Sequence, residues 1–224
     1  MIFLLTTNLF LPANHFMVIV LRYGNERQKE FFIKKLPAGH TLVIKNKDEP
    51  LATPGADVYF DLVFDDMHAE KNGRIHDVPV FVNALCCTCI EINRPNYIRL
   101  NAWPGFFERP LAELACADEV YKQKASAVYE ELGWKYIWVS DDYGLVSARV
   151  ISMIINEAYF AFGEGVSTKQ EIDTAMKLGT NYPYGPFEWA EHIGLLHIYS
   201  LLKKLAAGNS RYQIAPALMA EAQH

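Results

Sequence analysis

The sequence predicts an α/β protein in which a twisted, mostly parallel sheet with helices on both faces is followed by an all-helical domain. Short apolar runs alternate with amphipathic stretches over the first 140 residues, as in repeated strand-helix-strand units. From about residue 143 onward, apolar residues recur at helical spacing instead. We therefore expect a sheet domain in residues 1–140 and a helical domain in residues 141–224.

The first strand is predicted at residues 16–21, a continuous apolar run of the kind that a buried parallel strand requires. Further short apolar runs predict strands at residues 41–44, 56–60, 79–83, 97–100 and 135–139. Helical spacing predicts helices at residues 26–36 and 118–132. Ligands of such sheets bind at the carboxyl ends of the strands, near the point where the strand order reverses.

The most informative stretch of the helical part is GTNYPYGPFEW at residues 179–189, where Gly, Asn and Pro restrict the backbone path. The preceding helix is predicted to begin at Ser167, with Gln170 completing a capping box, and to end at Gly179. Pro186 is expected at the first position of the next helix. This joint is chiefly structural, because it sets the angle between two helices.

Composition narrows the functional classes. The chain has 224 residues, 51% of them hydrophobic, and a net charge of −5. No basic run is longer than a pair such as Lys203-Lys204, which argues against nucleic acid and against polybasic membrane contact. Residues 1–21 are apolar but lack a basic start and are interrupted by Asn8 and Pro12. Two buried strands or a hairpin are favoured there over a signal peptide or a membrane span, and a cytoplasmic protein is expected.

The cysteines show one C-x-x-C spacing, between Cys86 and Cys89. Cys116 is the only further thiol outside this CCTC run, and no second C-x-x-C or His-x₃-His completes a zinc site. We expect no metal centre, and small reduced thiols buried at a strand end.

Residues 140–224 resemble the helical domain of the 3-hydroxyacyl-CoA dehydrogenases. The matching runs are DYGLVSAR at 142–149, NEA at 156–158, EGV at 164–166, EIDTAMKLG at 171–179 and YPYGPFE at 182–188. In the N-terminal part, GADV at 55–58 and VFDD at 63–66 resemble the family's passage from the third strand to the next helix, and residues 100–113 resemble the stretch with its catalytic His and Glu. The resemblance implies a Rossmann-like, NAD-binding type of domain in residues 1–140, trimmed at residues 48–54, where the family has a longer helical excursion.

The family oxidises the 3-hydroxyl of an acyl-CoA thioester in fatty-acid metabolism and passes a hydride to NAD. A His takes the hydroxyl proton, a Glu tunes that His, and a Ser and an Asn position the oxygen. Carried over by position, Glu113 is the Glu, but Asn101 stands at the His, Leu85 at the Ser and Ala148 at the Asn. An amide cannot serve as the base, and neither apolar side chain offers a hydrogen bond.

The cofactor loop of the family, G-x-G-x-x-G, corresponds here to residues 21–26, in which only Gly24 remains. Arg22 is either a replacement phosphate contact or an ordinary solvated arginine. The acidic residue that binds the ribose hydroxyls is replaced by Lys45 or Asn46, and Asp48 follows two residues late.

Other functions remain open for these residues. Glu113 is a retained active-site residue, a carboxylate on a helix surface, or a partner for Arg109 at i−4. Asn101 turns the chain before Pro104 or binds substrate. His40 is expected in a turn. His192 and His197 are expected on the last long helix, at the edge of the core or on the surface.

Three hypotheses follow. The first is a degenerate family member that keeps the fold and an acyl-CoA or acyl-chain cleft without hydride transfer. The second is an active NAD-dependent 3-hydroxyacyl-CoA dehydrogenase with a reworked site, whose base would be one of His15, His40, His68 or His76. The third is a non-enzymatic dimerising or acyl-CoA-binding module. The resemblance implies a homodimer formed through the helical domain in all three cases.

Overall fold

A computed structural model describes residues 16–64, 75 and 77–223. Its centre is a sheet that has seven strands within these residues, in the order β2-β1-β3-β4-β5-β6-β7. The strands are β1 (Val18–Arg22), β2 (Thr41–Lys45), β3 (Val58–Asp61), β4 (Val80–Asn83), β5 (Tyr97–Leu100), β6 (Leu111–Ala115) and β7 (Lys135–Trp138). Strands β1 to β5 are parallel, β6 is antiparallel to β5, and β7 is parallel to β6. The predicted fold class is confirmed, although the sequence did not predict β6.

The strand order reverses at β1, which lies between β2 and β3. In this register Arg22, the last residue of β1, is the neighbour of Lys45 in β2 and of Asp61 in β3. The carboxyl ends of these three strands form the crevice in which open α/β sheets bind ligands.

One face of the sheet is covered by α1 (Glu26–Lys35) and α3 (Glu119–Glu131). Phe32 of α1 is fully buried and meets the rings of Phe60 and Trp134 edge-on, at centroid distances of 4.9 and 5.2 Å. The other face packs against a second apolar cluster that includes residues near α2 (Cys89–Ile92). Because both faces are buried, the central strands are apolar throughout rather than alternating.

The C-terminal part is helical, as predicted. Its elements are α4 (Ser147–Gly163), α5 (Lys169–Thr180), α6 (Pro186–Ile193), α7 (Leu195–Gly208), a 3-10 turn (Ser210–Tyr212) and α8 (Pro216–Ala222). Helix α4 is central and packs against α6, α7 and α8. Pro186 is at the start of α6 as expected, and Gly194, at a φ of 94°, separates α6 from α7.

The predicted bounds of α5 are wrong by one or two residues. Thr168, not Ser167, is the N-cap, and Glu171 completes the capping box because its carboxylate accepts the Thr168 N–H. The helix continues through Gly179, and Asn181 takes the left-handed conformation at its end with a φ of 55°. Asparagine tolerates this conformation, so the glycine is not needed there.

Several sequence predictions lie wholly or partly outside the described residues. The expected hairpin over residues 1–21 is described only from residue 16, and three of the candidate histidines are outside: His15, His68 and His76. Within the described ranges, no helix combines the length and apolar character needed to cross a membrane. No group of three His, Cys, Asp or Glu side chains there could hold a metal ion.

Candidate functional site

Glu113 and Asn101 meet at the start of α4, through Ser147. Glu113 lies on β6, so the expectation of a helix-surface carboxylate is wrong. Its carboxylate accepts the backbone N–H groups of Val146 at 3.0 Å and Ser147 at 3.1 Å. Helix α4 lacks a side-chain cap of its own, and Glu113 supplies one from the sheet, where its charge also suits the positive end of the helix.

Asn101 follows β5 and is 8% exposed. Its Oδ1 accepts the N–H of Trp103 at 3.0 Å, which is the local turn that the sequence allowed. Its Nδ2 donates to Ser147 Oγ at 3.0 Å. The side-chain amide of Asn101 therefore holds the hydroxyl of Ser147. Sequence reasoning missed Ser147, although its place at the first turn of a helix beside Ala148 was a usable signal.

Leu85 and Ala148 are 4% and 0% exposed and belong to one apolar cluster. Trp103 and Phe106 belong to the same cluster and are also buried. Leu85 and Ala148 therefore contribute apolar contacts to the core.

Arg22 is not solvated, and the Nε and Nη2 atoms of its guanidinium are bonded to Asp61. Its Nε donates to Asp61 Oδ1 at 2.9 Å, its Nη2 donates to Asp61 Oδ2 at 2.5 Å, and the residue is 6% exposed. Burial raises the pKa of Asp61, and the hydrogen bonds and charge of Arg22 counteract only part of that rise. A bidentate, buried ion pair thus stands at the carboxyl ends of β1 and β3.

The glycine loop is bonded internally by a residue that sequence reasoning also missed. Gln28 is 3% exposed; its Oε1 accepts the Gly24 N–H at 2.8 Å and its Nε2 donates to the carbonyl of Ala102 at 2.7 Å. Asn25 caps α1 by accepting the Gln28 N–H. A Cβ on Gly24 would lie 3.3 Å from Gln28 Oε1 and from Val63 Cγ1. The glycine therefore leaves room for the side chains of Gln28 and Val63.

The end of β2 borders a shallow cleft. It is lined by Tyr23, Gly24, Asn46, Lys47, Asp48 and Glu49. The hydroxyl of Tyr23 lies 3.4 Å from Asn46 Oδ1, and Asn46 Nδ2 donates to Glu49 at 2.8 Å. The Tyr23 side chain therefore reaches from the loop after β1 to the loop after β2.

Two adjoining cavities open beside the Asn101–Glu113–Ser147 contact. The first, of about 170 Å³, is lined by Phe31, Lys35, Leu100, Asn101, Phe106, Phe107, Arg109, Leu111, Ala112, Glu113, Tyr129, Trp134, Ile137 and Ser147. The second, of about 180 Å³, is lined by Phe106, Arg109, Ser147, Val150, Ile151, Ile154, Tyr182, Pro183 and Trp189. Both share Phe106, Arg109 and Ser147, and together we call them the Arg109 cleft.

Arg109 lies over the ring of Phe106, with its Cζ 4.0 Å from the ring centroid. The predicted helical pairing with Glu113 does not form, because these residues are in a loop and a strand. Burial lowers the pKa of Arg109, and attraction from Glu113 counteracts it. The cleft thus has apolar walls and a small polar centre, the usual composition of small-molecule sites.

Comparison with known proteins identifies the helical part. The family model described as 3-hydroxyacyl-CoA dehydrogenase, C-terminal domain, matches residues 144–223. The 3-hydroxyadipyl-CoA dehydrogenase of Escherichia coli K12 is 38% identical over 105 residues, covering 46% of this chain and 22% of that protein. The probable 3-hydroxybutyryl-CoA dehydrogenase of Bacillus subtilis is 40% identical over 94 residues, covering 41% and 33%. The matches span only about a fifth to a third of these relatives' length.

Solved structures show the same overall fold. (S)-3-hydroxybutyryl-CoA dehydrogenase from Ralstonia eutropha superposes with a TM-score of 0.73 at 17% identity, covering 92% of this chain and 93% of that one. At this identity the likeness speaks for the fold alone. The 3-hydroxybutyryl-CoA dehydrogenase of Escherichia coli K12 is 31% identical with a TM-score of 0.56, covering 64% of this chain and 31% of that one.

Proposed function

We propose that the chain, whose residues 144–223 match the C-terminal domain of the 3-hydroxyacyl-CoA dehydrogenase family, is a degenerate member of that family that binds acyl-CoA without transferring hydride to NAD. In this proposal residues 1–140 are a trimmed Rossmann-like domain and residues 141–224 are the helical domain. The acyl group binds in the Arg109 cleft, beside Asn101 and Glu113.

The observation that carries the proposal is the internal bonding of the cofactor loop. NAD needs free backbone N–H groups and bare glycines at the end of the first strand. Here the Gly24 N–H is bonded to Gln28, and the Arg22 guanidinium is bonded to Asp61. Displacing one partner of a buried ion pair costs about 3–5 kcal/mol. These residues do not fit the pyrophosphate, so no catalytic step is assigned to NAD.

Among the described residues, the Arg109 cleft has no histidine that could serve as the catalytic base. Asn101 has no group that takes up a proton, and none of the cleft-lining residues is a histidine. His40 lies before β2, at the amino ends of the strands, where its Nδ1 accepts the N–H of Met17 at 3.2 Å. It is therefore remote from the carboxyl ends. The active-dehydrogenase alternative would need a base from His15, His68 or His76.

We also propose that the chain forms a homodimer. The dimer would form both in an acyl-CoA-binding protein and in a non-enzymatic dimerising module. Helices α4 and α5 and the turn between them carry exposed apolar side chains, including Phe162 (37%), Val166 (71%) and Leu178 (83%). Such residues favour burial against a second copy. Sedimentation should give a dimer; a monomer at micromolar concentration would contradict this part of the proposal.

Calorimetry tests the function directly. We expect acetoacetyl-CoA or butyryl-CoA to bind, and NAD or NADH to give no detectable heat even at millimolar concentration. Asn101→His should not create turnover, because the cofactor loop remains bonded to Gln28 and Asp61. A micromolar dissociation constant for NADH would contradict the proposal that hydride transfer has been lost. NADH consumption with acetoacetyl-CoA at a rate proportional to the protein concentration would contradict it as well. A dimer that binds neither CoA ester would favour the interaction module.

A further inference from the structure

We propose that Arg109 makes the cleft selective for acyl groups whose far end is a carboxylate, such as the half-thioester of a dicarboxylic acid. This inference rests on the proposed acyl binding and specifies its ligand class. It depends on the position of one guanidinium, its lack of a short-range partner, and the two apolar walls beside it.

The guanidinium is held by stacking. Phe106, the ring beneath it, is 6% exposed and is itself packed against Trp189 at a centroid distance of 5.3 Å. Stacking on an aromatic face leaves the N–H donors of an arginine pointing outward in its own plane. Arg109 lines both cavities, so a ligand in either one would lie beside this residue.

Within the described part of the chain, no hydrogen bond or ion pair reaches the Arg109 side chain, in contrast to Arg22 with Asp61 and Arg99 with Asp141. Glu113 attracts it only at longer range, because the Glu113 carboxylate is bonded to the first N–H groups of α4. Arg109 is exposed, and a guanidinium without a close acceptor can bind a carboxylate bidentately.

The walls on either side suit a short methylene chain. Leu111 and Ile137, 44% and 43% exposed, border the first cavity, and Val150 and Ile154 border the second. Each cavity is smaller than the roughly 300–1,000 Å³ of typical small-molecule sites. The cleft therefore holds the acyl group of the thioester and leaves the CoA part outside. An acyl chain that ends in a methyl group would leave Arg109 without an acceptor.

The test compares adipoyl-CoA, hexanoyl-CoA and free CoA by calorimetry on the full chain. We expect adipoyl-CoA to bind about fivefold more tightly than hexanoyl-CoA, because an ion pair with an exposed arginine contributes up to about 1 kcal/mol. Arg109→Gln should reduce this preference to about twofold or less, since only that pair is removed. Arg211→Gln is the matched control, because Arg211 stands over the Tyr212 ring, is exposed and does not line the cleft.

The outcomes separate this inference from the proposed function. If adipoyl-CoA and hexanoyl-CoA bind equally, the carboxylate selectivity is wrong while acyl binding stands. If the preference survives in Arg109→Gln, the carboxylate is read elsewhere and the assignment of Arg109 is wrong. If free CoA binds as tightly as either ester, or nothing binds, acyl recognition itself is refuted.

Discussion

Replacing Gly185 by alanine should destabilise the protein, because the space beside this glycine is filled by a carboxylate. A Cβ at Gly185 would lie 2.3 Å from Asp173 Cγ and Oδ1 and 2.4 Å from Asp173 Cβ. The backbone there has a φ of −71°, which any residue adopts, so the cost comes from contact alone. Asp173 is buried in α5 and accepts the N–H groups of Phe187 and Glu188 at 2.8 and 3.2 Å. It therefore caps α6 from a neighbouring helix.

The expected cost combines two terms. Moving Asp173 away loses hydrogen bonds to a charged cap, about 1–3 kcal/mol, and forcing a methyl group into a packed joint costs about 1–3 kcal/mol. These two costs are not independent, because moving Asp173 away also removes the steric contact. We therefore expect the free energy of unfolding to fall by about 2–4 kcal/mol, which lowers the Tm by on the order of 5–15 °C for a chain of this size. Gly179, six residues earlier, has nothing within 4 Å of its Cβ position and lies inside α5. Gly179→Ala should be neutral or stabilising by up to about 1 kcal/mol.

Urea denaturation followed by circular dichroism measures both variants. A double-mutant cycle with Asp173→Gly isolates the contact, since that change removes all three clashing atoms. In the Asp173→Gly background, Gly185→Ala should cost less than about 1 kcal/mol. If Gly185→Ala and Gly179→Ala behave alike, or if the costs of Gly185→Ala and Asp173→Gly simply add, the contact with Asp173 is not the cause of the destabilisation.

Three further predictions concern residues in the sheet and in the segments beside it. Glu113→Ala should lower the free energy of unfolding by about 1–3 kcal/mol, because α4 loses its cap, and Glu113→Gln should cost less; unchanged urea midpoints would contradict this. Burial raises the pKa of Asp141, but hydrogen bonds from Cys89 and Arg99 outweigh it and hold the pKa below its usual range. The folded pKa is thus below the unfolded value of about 4, so this stability is present above about pH 4 and is lost as the pH falls through the folded pKa. Asp141→Asn should remove that part of the acid dependence in acid titrations monitored by fluorescence, and parallel curves for the two proteins would speak against it. Burial, with Asp141 nearby, raises the pKa of Cys89 to about 12, so mass-spectrometric mapping should find Cys89 unalkylated by iodoacetamide at mildly alkaline pH until the protein unfolds. Rapid labelling of Cys89 in the folded state would be the contrary result.

Some elements could be predicted because their local pattern is decisive. Residues 97–100 form β5 with the bounds expected from their apolar run, and Pro186 begins α6 as its missing N–H allows. Strand β6 could not be predicted, because its sequence Leu-Ala-Glu-Leu-Ala favours helix. It is a strand because it pairs with β5 on one side and with β7 on the other. That pairing overrides local propensity.

In the candidate site, too, some features could be predicted from the sequence and others depend on tertiary contacts. Residue type alone established that Asn101 cannot replace a histidine base and that residues 21–26 lack the glycines of a dinucleotide loop. It could not establish what the remaining groups do. The role of Glu113 as a cap for α4, and the use of Gln28 to bond the loop, depend on neighbours 33 and 74 residues away.

By itself, then, the sequence determined most of the succession of strands and helices and the family resemblance of the helical part, because periodicity and turn residues are local properties. Only the tertiary structure decided which charges meet. Arg22 pairs with Asp61, 39 residues away, because the parallel register of β1 and β3 places them side by side. Arg109 lies without a close partner in a cleft because β6 turns the Glu113 carboxylate toward α4. Such partnerships follow from strand register and helix packing, and neither can be determined from residue type or spacing.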